Sequence, residues 1–319
     1  MSLNEKQRQA RRAGIGGSDI AAVLGLSRWR TPYDVWREKM GLAEDESGRN
    51  EPNYWGQMLE DVTAREYQKR AGRRVQRVNQ TLKHPKYDWA IAHIDRAVVI
   101  PGRRAVWRGD HLAGAEKILE CKTASAWKSR EWNEGEKVPL EYQAQCQWYL
   151  AITGLGRADI AALIGGQKFI IRKIKRDDET IRAMLARAEE FWRKYVVERI
   201  PPPPINTADI LQMFPVDDGD FVEIGQDAET LETFNQLRQL RDEKKTLDEK
   251  IDALTESLKV RIGEHSGLTI DGHPVVTWKT TKTRKYIDWE SIACELGAHQ
   301  EIVKKFTTYI SGSRRFLIK

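Results

Sequence analysis

Five residues, Ile118-Leu119-Glu120-Cys121-Lys122, constrain this chain most. An acid and a lysine stand two apart within an apolar run. On a strand, residues i and i+2 project from one face, so Glu120 and Lys122 should point together into one cleft. Upstream, residues 89–100 read as a second strand with Asp95 in its middle. Antiparallel pairing of the two would bring Asp95 beside Glu120 and Lys122. An Asp…Glu-x-Lys set can hold magnesium and orient a water for phosphodiester cleavage. Hard divalent cations take carboxylate oxygens together with substrate phosphate, two such ions can clamp attacking and leaving oxygens, and the lysine can orient or deprotonate the water. Alone, Glu-x-Lys is common, and charges alternating with apolar residues ordinarily mark a solvated strand face. The surrounding sequence decides.

At 319 residues the chain should form one large domain with an appendage, or two domains. With 40% hydrophobic and 31% charged residues it reads as a folded soluble protein, not a disordered one. A net charge of +6 permits a polyanionic partner. Three dispersed cysteines, Cys121, Cys146 and Cys294, exclude a four-cysteine zinc or iron–sulfur site and suit a reducing compartment. No apolar run approaches the roughly 18 residues of a membrane span, and the polar N-terminus lacks a signal core, so an intracellular protein without membrane contact is expected.

Residues 11–26 place glycines at 14, 16 and 17 ahead of a helical pattern in Ile20, Val23 and Leu24. Ser18 reads as its N-cap. Glycines before a helix let backbone N–H groups converge on an anion, Ser18 adds a hydroxyl, and Arg11 adds a bidentate phosphate donor. The alternative is a flexible turn before an ordinary capped helix. Gly25 ends that helix; Pro32 opens a second, which Gly41 closes. After a polar loop at 49–53, residues 55–67 read as a helix with an apolar stripe of Met58, Leu59, Val62 and Tyr67. Glu60, near its start, is either a third ligand of the cleft or a surface acid. Residues 73–82 are β-like, and 101–116, with Arg103, Arg104 and Arg108, form an elongated hairpin loop that either touches DNA backbone or is merely exposed.

Trp127-Lys128-Ser-Arg130-Glu-Trp132 interleaves cations and aromatics, suiting phosphate contact and base stacking, or simple packing. Residues 139–150 form a helix with Gln143 and Gln147 on one face and Gln145, flanked by Tyr142 and Tyr149, on another, which suggests a site-lining surface. Residues 158–164 and 169–174 read as a hairpin through Gly165-Gly166, and 178–199 as an amphipathic helix stopped by prolines 201–204. The fold class to this point is α/β, a mixed sheet with helical cover.

Gly14-Ile-Gly-Gly-Ser18-Asp19, Trp55-Gly56…Glu60, Asp95, Glu120-Cys121-Lys122 and Tyr142-Gln143-Ala-Gln145 occur in this order. The set resembles the YqaJ-like viral recombinase family, relatives of phage lambda exonuclease within the PD-(D/E)XK nuclease superfamily, over about residues 10–200. Two positions depart from the family pattern: Asp95 follows Ile94, not proline, and Arg96 stands where glycine is common. The resemblance implies a PD-(D/E)XK restriction-endonuclease-like core. It implies that Asp95, Glu120 and the carbonyl of Cys121 ligate Mg²⁺, with Mn²⁺ able to substitute, and that Glu60 serves a second ion. Lys122 would position and activate water. Arg11 or Arg12, Ser18 and Gln145 would hold a 5′-terminal phosphate. The implied activity is 5′ to 3′ resection of linear duplex DNA, leaving a 3′ single strand for an annealing protein of the RecT/Redβ type. The setting is the cytoplasm of a bacterial host, with the gene carried by a phage or prophage, and ring-shaped homo-oligomers are common among such relatives. A related endonuclease and a non-catalytic DNA-binding recombination module are the alternatives.

Residues 1–200 are thus expected to be the nuclease domain and 201–228 a proline-rich and acidic linker. Residues 229–262 read as a helical arm whose Leu240, Leu247, Leu254 and Ile251, Leu258 recur at seven-residue spacing, a coiled-coil-like seam. Residues 263–319 read as a small basic α+β subdomain opened by a hairpin at Asp271-Gly272. Its Lys279, Lys282, Arg284 and Lys285 suit backbone phosphate, and its tail, Ser313-Arg-Arg-Phe-Leu-Ile-Lys319, looks like the extension of many phage-type YqaJ proteins.

Overall fold

Local chemistry sets the first helices. The computed structural model describes residues 9, 11–42, 51–133, 137–282, 288, 289, 292, 295, 296 and 304–306. Part of the 49–53 loop, Arg284, Lys285, Cys294 and the 313–319 tail lie outside the described residues. Helix α1 (Gly17–Val23) is capped by Gly16, not by Ser18, which sits exposed at the second helical position. The backbone decides this: Ile15 is bridged to Ala90, so Gly16 is the residue that turns from extended to helical, and its amide donates to the Asp19 carboxylate at 3.0 Å. Helix α2 (Pro32–Met40) begins as expected, with Thr31 accepting from the Asp34 amide and proline at the first position, and ends at Gly41 in the left-handed region, φ 74°. Helix α3 (Glu51–Ala71) is longer than the sequence suggested, so Glu60 lies mid-helix. Its buried residues are Thr63, Ala64 and Tyr67, while Met58 and Val62 of the expected stripe are exposed. Only the second half of α3 lies on apolar ground.

The remaining elements of the larger unit are β1 (Val75–Gln76), β2 (Leu82–Lys83), β3 (Ile91–Ala92), β4 (Arg96–Val99), β5 (Val106–Trp107), β6 (Leu112–Ala113), β7 (Ala115–Ala124), α4 (Ser129–Asn133), α5 (Leu140–Thr153), β8 (Arg157–Ile164), β9 (Lys168–Lys175), α6 (Asp178–Phe191) and α7 (Thr207–Met213). Among the described residues the main sheet has five strands in the order β1-β4-β7-β8-β9. All neighbours are antiparallel except β7 and β8, which run parallel with α5 as their crossover. This is the expected mixed sheet with helical cover, with helices on both faces. The expected strand at 89–100 is broken: β3 pairs with β2, β4 joins the main sheet, and Asp95 stands in the bend just before β4.

The pleat of β7 sorts the core. Ile118 joins the main apolar core, which also holds Ala97, Ile160 and the α5 residues Cys146, Trp148 and Leu150. Leu119 faces the opposite way, onto Val98, Ala161 and the α3 residues Ala64 and Tyr67. Trp148, wholly buried, donates its indole N–H to the Ile91 carbonyl at 3.0 Å. Gln147 donates to the Lys175 carbonyl at 2.7 Å and accepts from the Asp177 amide at 3.0 Å, and Gln143 donates to the Val138 carbonyl at 2.6 Å. These two glutamines hold backbone; they do not line a site.

The chain divides into two compact units, Met1–Met213 and Phe214–Lys319. The first extends past residue 200 because α7, expected within a linker, is folded onto α2: buried Asp209 accepts from Thr31 Oγ1 at 2.9 Å and from the Ile205 amide at 3.0 Å. In the second unit α8 (Ala228–Ile262) is capped by Asp227, and Leu240, Leu247, Ile251, Leu254 and Leu258 are exposed along it. Strands β10 (Gly267–Ile270) and β11 (His273–Thr277) form the expected hairpin, with Asp271 and Gly272 both at positive φ, 50° and 80°. Among the described residues no helix is long and apolar enough to cross a membrane.

Candidate active site

The site forms where β4 and β7 separate beneath α5. The pairing Arg96↔Leu119 and Ala97↔Ile118 leaves Asp95 one step beyond the ladder, level with Glu120. Asp95 Oδ2 accepts from the Cys121 amide at 2.8 Å. Glu120 is buried, 3% exposed. Its Oε1 receives Lys122 Nζ at 2.7 Å and Gln145 Nε2 at 2.7 Å. Its Oε2 is buried without a hydrogen-bond partner among the described residues. Gln145 closes the ring by accepting from Lys122 Nζ at 2.9 Å and donating to the Tyr149 hydroxyl at 2.9 Å. The Lys122 ammonium also lies 4.9 Å from the centre of the Tyr142 ring. Asp95, Glu120, Lys122 and Gln145 are thus brought together, as the strand register suggested.

Electrostatics here are set by burial. Asp95 is pushed well above the carboxylate range, first by desolvation and then by the Glu120 charge, against which Lys122 acts. Glu120 is raised by burial, with Lys122 the largest opposing influence. Burial would lower Lys122, but the Glu120 and Asp95 carboxylates prevail and raise it. Two carboxyl groups that resist ionisation, one with an unpartnered oxygen, form a pocket that a cation would relieve.

Glu60 approaches from α3 but is held by Arg96, which also grips Asp61 and, at 5% side-chain exposure, is almost enclosed. Sequence reading noted Arg96 only as a replacement for glycine; its role depends on α3 crossing β4, which no local pattern reveals. Among the described residues no group of three or more His, Cys, Asp and Glu side chains is gathered tightly enough to hold an ion by itself. The donor set still fits a hard cation: the Asp95 and Glu120 carboxylates lie together and the Cys121 carbonyl follows Glu120 along β7, with Glu60 close enough to raise both acids.

The N-terminal corner reaches this centre through α5. Gly17 lies so close to Tyr149 that a Cβ there would fall 2.2 Å from the ring, so glycine is required sterically. Asp19 is buried between Lys39 Nζ at 2.6 Å and Arg30 Nη1 at 2.9 Å. The backbone carbonyl of Arg11 accepts from Lys39 at 2.8 Å, the Arg11 charge acts on His93, and the exposed Arg12 lays its guanidinium against Gly41. Lys39 was missed as a determinant, whereas Tyr149 flanks Gln145 as the helical spacing of four residues suggested.

The profile of the YqaJ-like viral recombinase domain matches residues 7–156. This part of the chain is similar to that family. The YqaJ-like region contains Asp95, Glu120, Lys122, Gln145 and Tyr149, and it ends immediately before β8. The protein YqaJ of Bacillus subtilis (strain 168) is 40% identical over 189 residues, 59% of this chain and 54% of that protein, so the chain spans about half the length of the curated relative it matches. The alkaline exonuclease LHK-Exo from Laribacter hongkongensis superposes with a TM-score of 0.49 at 21% identity, covering 61% of this chain and 94% of that one. Its complex with dAMP superposes with a TM-score of 0.50 at 22% identity over the same shares. At such identity the likeness is one of fold.

Proposed function

We propose that this protein is a divalent-metal-dependent deoxyribonuclease that resects the 5′ strand of linear duplex DNA and leaves a 3′ single strand for an annealing protein. The observation that carries the reading is the buried Asp95–Glu120–Lys122 cluster, braced by Gln145. The match of residues 7–156 to the YqaJ-like domain and a fold similar to that of a protein described as an alkaline exonuclease and crystallised with dAMP support it.

Asp95, Glu120 and the Cys121 carbonyl would hold Mg²⁺ or Mn²⁺, and Glu60 would serve a second ion. When bound, the metal would supply Lewis-acid stabilisation of the phosphoryl oxygens and lower the pKa of a bound water. Lys122, fixed by Glu120 and Gln145, would position the attacking water at the phosphorus. Gln145 keeps the lysine and the acid in register, and Tyr149 fixes the amide. Arg11 or Arg12, with Ser18 at the glycine corner that packs on Tyr149, would receive the 5′-terminal phosphate. The Gln145 amide is already committed to Glu120, Lys122 and Tyr149, so a contact from it to phosphate requires giving up one of these. The exposed apolar seam of α8 would serve self-association or packing against its own chain.

Digestion of blunt duplex labelled at either end, with and without a 5′ phosphate and beside a closed circle, tests the reading. Loss of the 5′ label as mononucleotide, a preference for 5′-phosphorylated ends and abolition by Glu120→Gln are expected. Cutting of the closed circle, or undiminished digestion by Glu120→Gln, would overturn it.

A further inference from the structure

Two exposed tryptophans stand on segments tied together at the C-terminal end of β7. Trp29, in the turn between α1 and α2, is 72% exposed, and Trp127, in the helical turn that follows β7, is 94% exposed. Lys128 Nζ lies 4.9 Å from the centre of the Trp29 ring, and Arg28 Nη1 donates to Glu131 Oε1 at 2.9 Å. Two loops about a hundred residues apart are thereby held as one surface. Arg28 neutralises the one acid between Trp127 and Trp132, which leaves Lys128 and the exposed Arg130 as its positive charge.

The patch is anchored to the site. Trp132 is wholly buried, stacks on Tyr142 with ring centres 5.6 Å apart and planes at 25°, and accepts at its carbonyl from Arg172 at 3.0 Å. Tyr142 in turn carries the Lys122 ammonium over its ring. A continuous line of contacts therefore runs from Lys122 through Tyr142 and Trp132 into the segment that presents Trp127.

We propose that Trp29 and Trp127, with Lys128 and Arg130, form a stacking platform for unpaired nucleotides of the DNA strand at the cleft. Aromatic faces accept any base, and cations beside them neutralise phosphates, the combination that holds single strands without regard to sequence. A duplex, whose bases are already stacked, offers these indoles little. The inference rests on the nuclease reading and deepens it by naming the form of substrate held beside Lys122.

The test uses the full chain carrying Glu120→Gln, so that DNA is not consumed, and follows the anisotropy of a labelled oligothymidylate and of a blunt duplex. Trp29→Ala with Trp127→Ala should weaken oligothymidylate binding about tenfold or more and duplex binding less than about threefold, while the paired phenylalanine variants stay within about threefold of the parent. Tryptophan fluorescence should be quenched by the oligonucleotide in the parent and far less in the alanine pair. An unchanged oligonucleotide affinity, or equal losses for both DNA forms, would overturn the platform. Capture of a protein partner by the patch with no change in oligonucleotide binding would overturn it as well. The nuclease reading fails separately, if the chain with Glu120 intact cuts no DNA.

Discussion

Asp19 offers the sharpest stability test, because its carboxylate meets the Lys39 ammonium almost out of reach of water, with the half-buried Arg30 on its other side. Lys39 has no exposed side-chain surface; apart from Asp19 at 2.6 Å, its ammonium reaches the Arg11 carbonyl at 2.8 Å and a Glu38 oxygen at 3.8 Å. Burial alone would raise Asp19, but Lys39, Arg30 and the Gly16 amide overcome it and hold the carboxyl well below its ordinary range. Asp19→Asn keeps the shape and removes the charge, leaving buried Lys39 with only the more distant Glu38 carboxylate, at 3.8 Å, as counter-charge. The expected cost is about 3–5 kcal/mol, or roughly 6–20 °C in Tm for a unit of this size. Lys39→Met should cost less, about 1–3 kcal/mol, because Asp19 keeps Arg30 and the Gly16 amide. The pH dependence has a definite sign. With a folded pKa below the unfolded value of about 3.9, the stabilisation is complete above about pH 4 and is lost as the pH falls further. Urea unfolding followed by circular dichroism at about pH 7 and about pH 3 measures both effects, and the Asn variant should lose less stability on acidification. An Asn variant within about 1 kcal/mol of the parent at neutral pH, or one with the same acid loss, would refute the reasoning.

Gly17→Ala forces the Tyr149 ring aside, since the new methyl would lie 2.2 Å from it; thermal melts should show a loss of about 1–3 kcal/mol, with nuclease activity falling as Gln145 loses its hydroxyl partner. Trp148→Phe strands the Ile91 carbonyl and should cost about 1–3 kcal/mol in a chemical melt. Chelation should abolish cleavage, Mg²⁺ or Mn²⁺ should restore it, and Ca²⁺ should support DNA binding without cutting, as its looser, higher coordination suggests. Residual Mg²⁺-supported cleavage by Asp95→Ala would show that this carboxylate is not a ligand.

What could be read from the residues followed from period and capping. Glu120 and Lys122 two apart on a strand had to share a face, and the register brought Asp95 to them. Pro32 and Gly41 bounded α2 because each has a fixed backbone preference. Other features depended on distant chain. The cap of α1 moved to Gly16 because Ile15 bonds to a strand far downstream. Gln147 went to the backbone of 175 and 177, not to the cleft, and the apolar stripe of α3 failed because only the end of that helix meets the sheet. Segment 207–213 looked like spacer because its one buried acid, Asp209, finds its partner at Thr31.

The crossover from β7 to β8 has a practical consequence. Residues 7–156 carry every side chain assigned to the chemistry, yet a protein cut at that boundary would lack β8, along which β7 is paired from Ile118 to Ala124. The strand bearing Glu120 and Lys122 would then offer a row of bare amides and carbonyls to any passing neighbour. Such a fragment would be expected to clump long before its reactive groups could be assayed, so expression boundaries belong beyond β9.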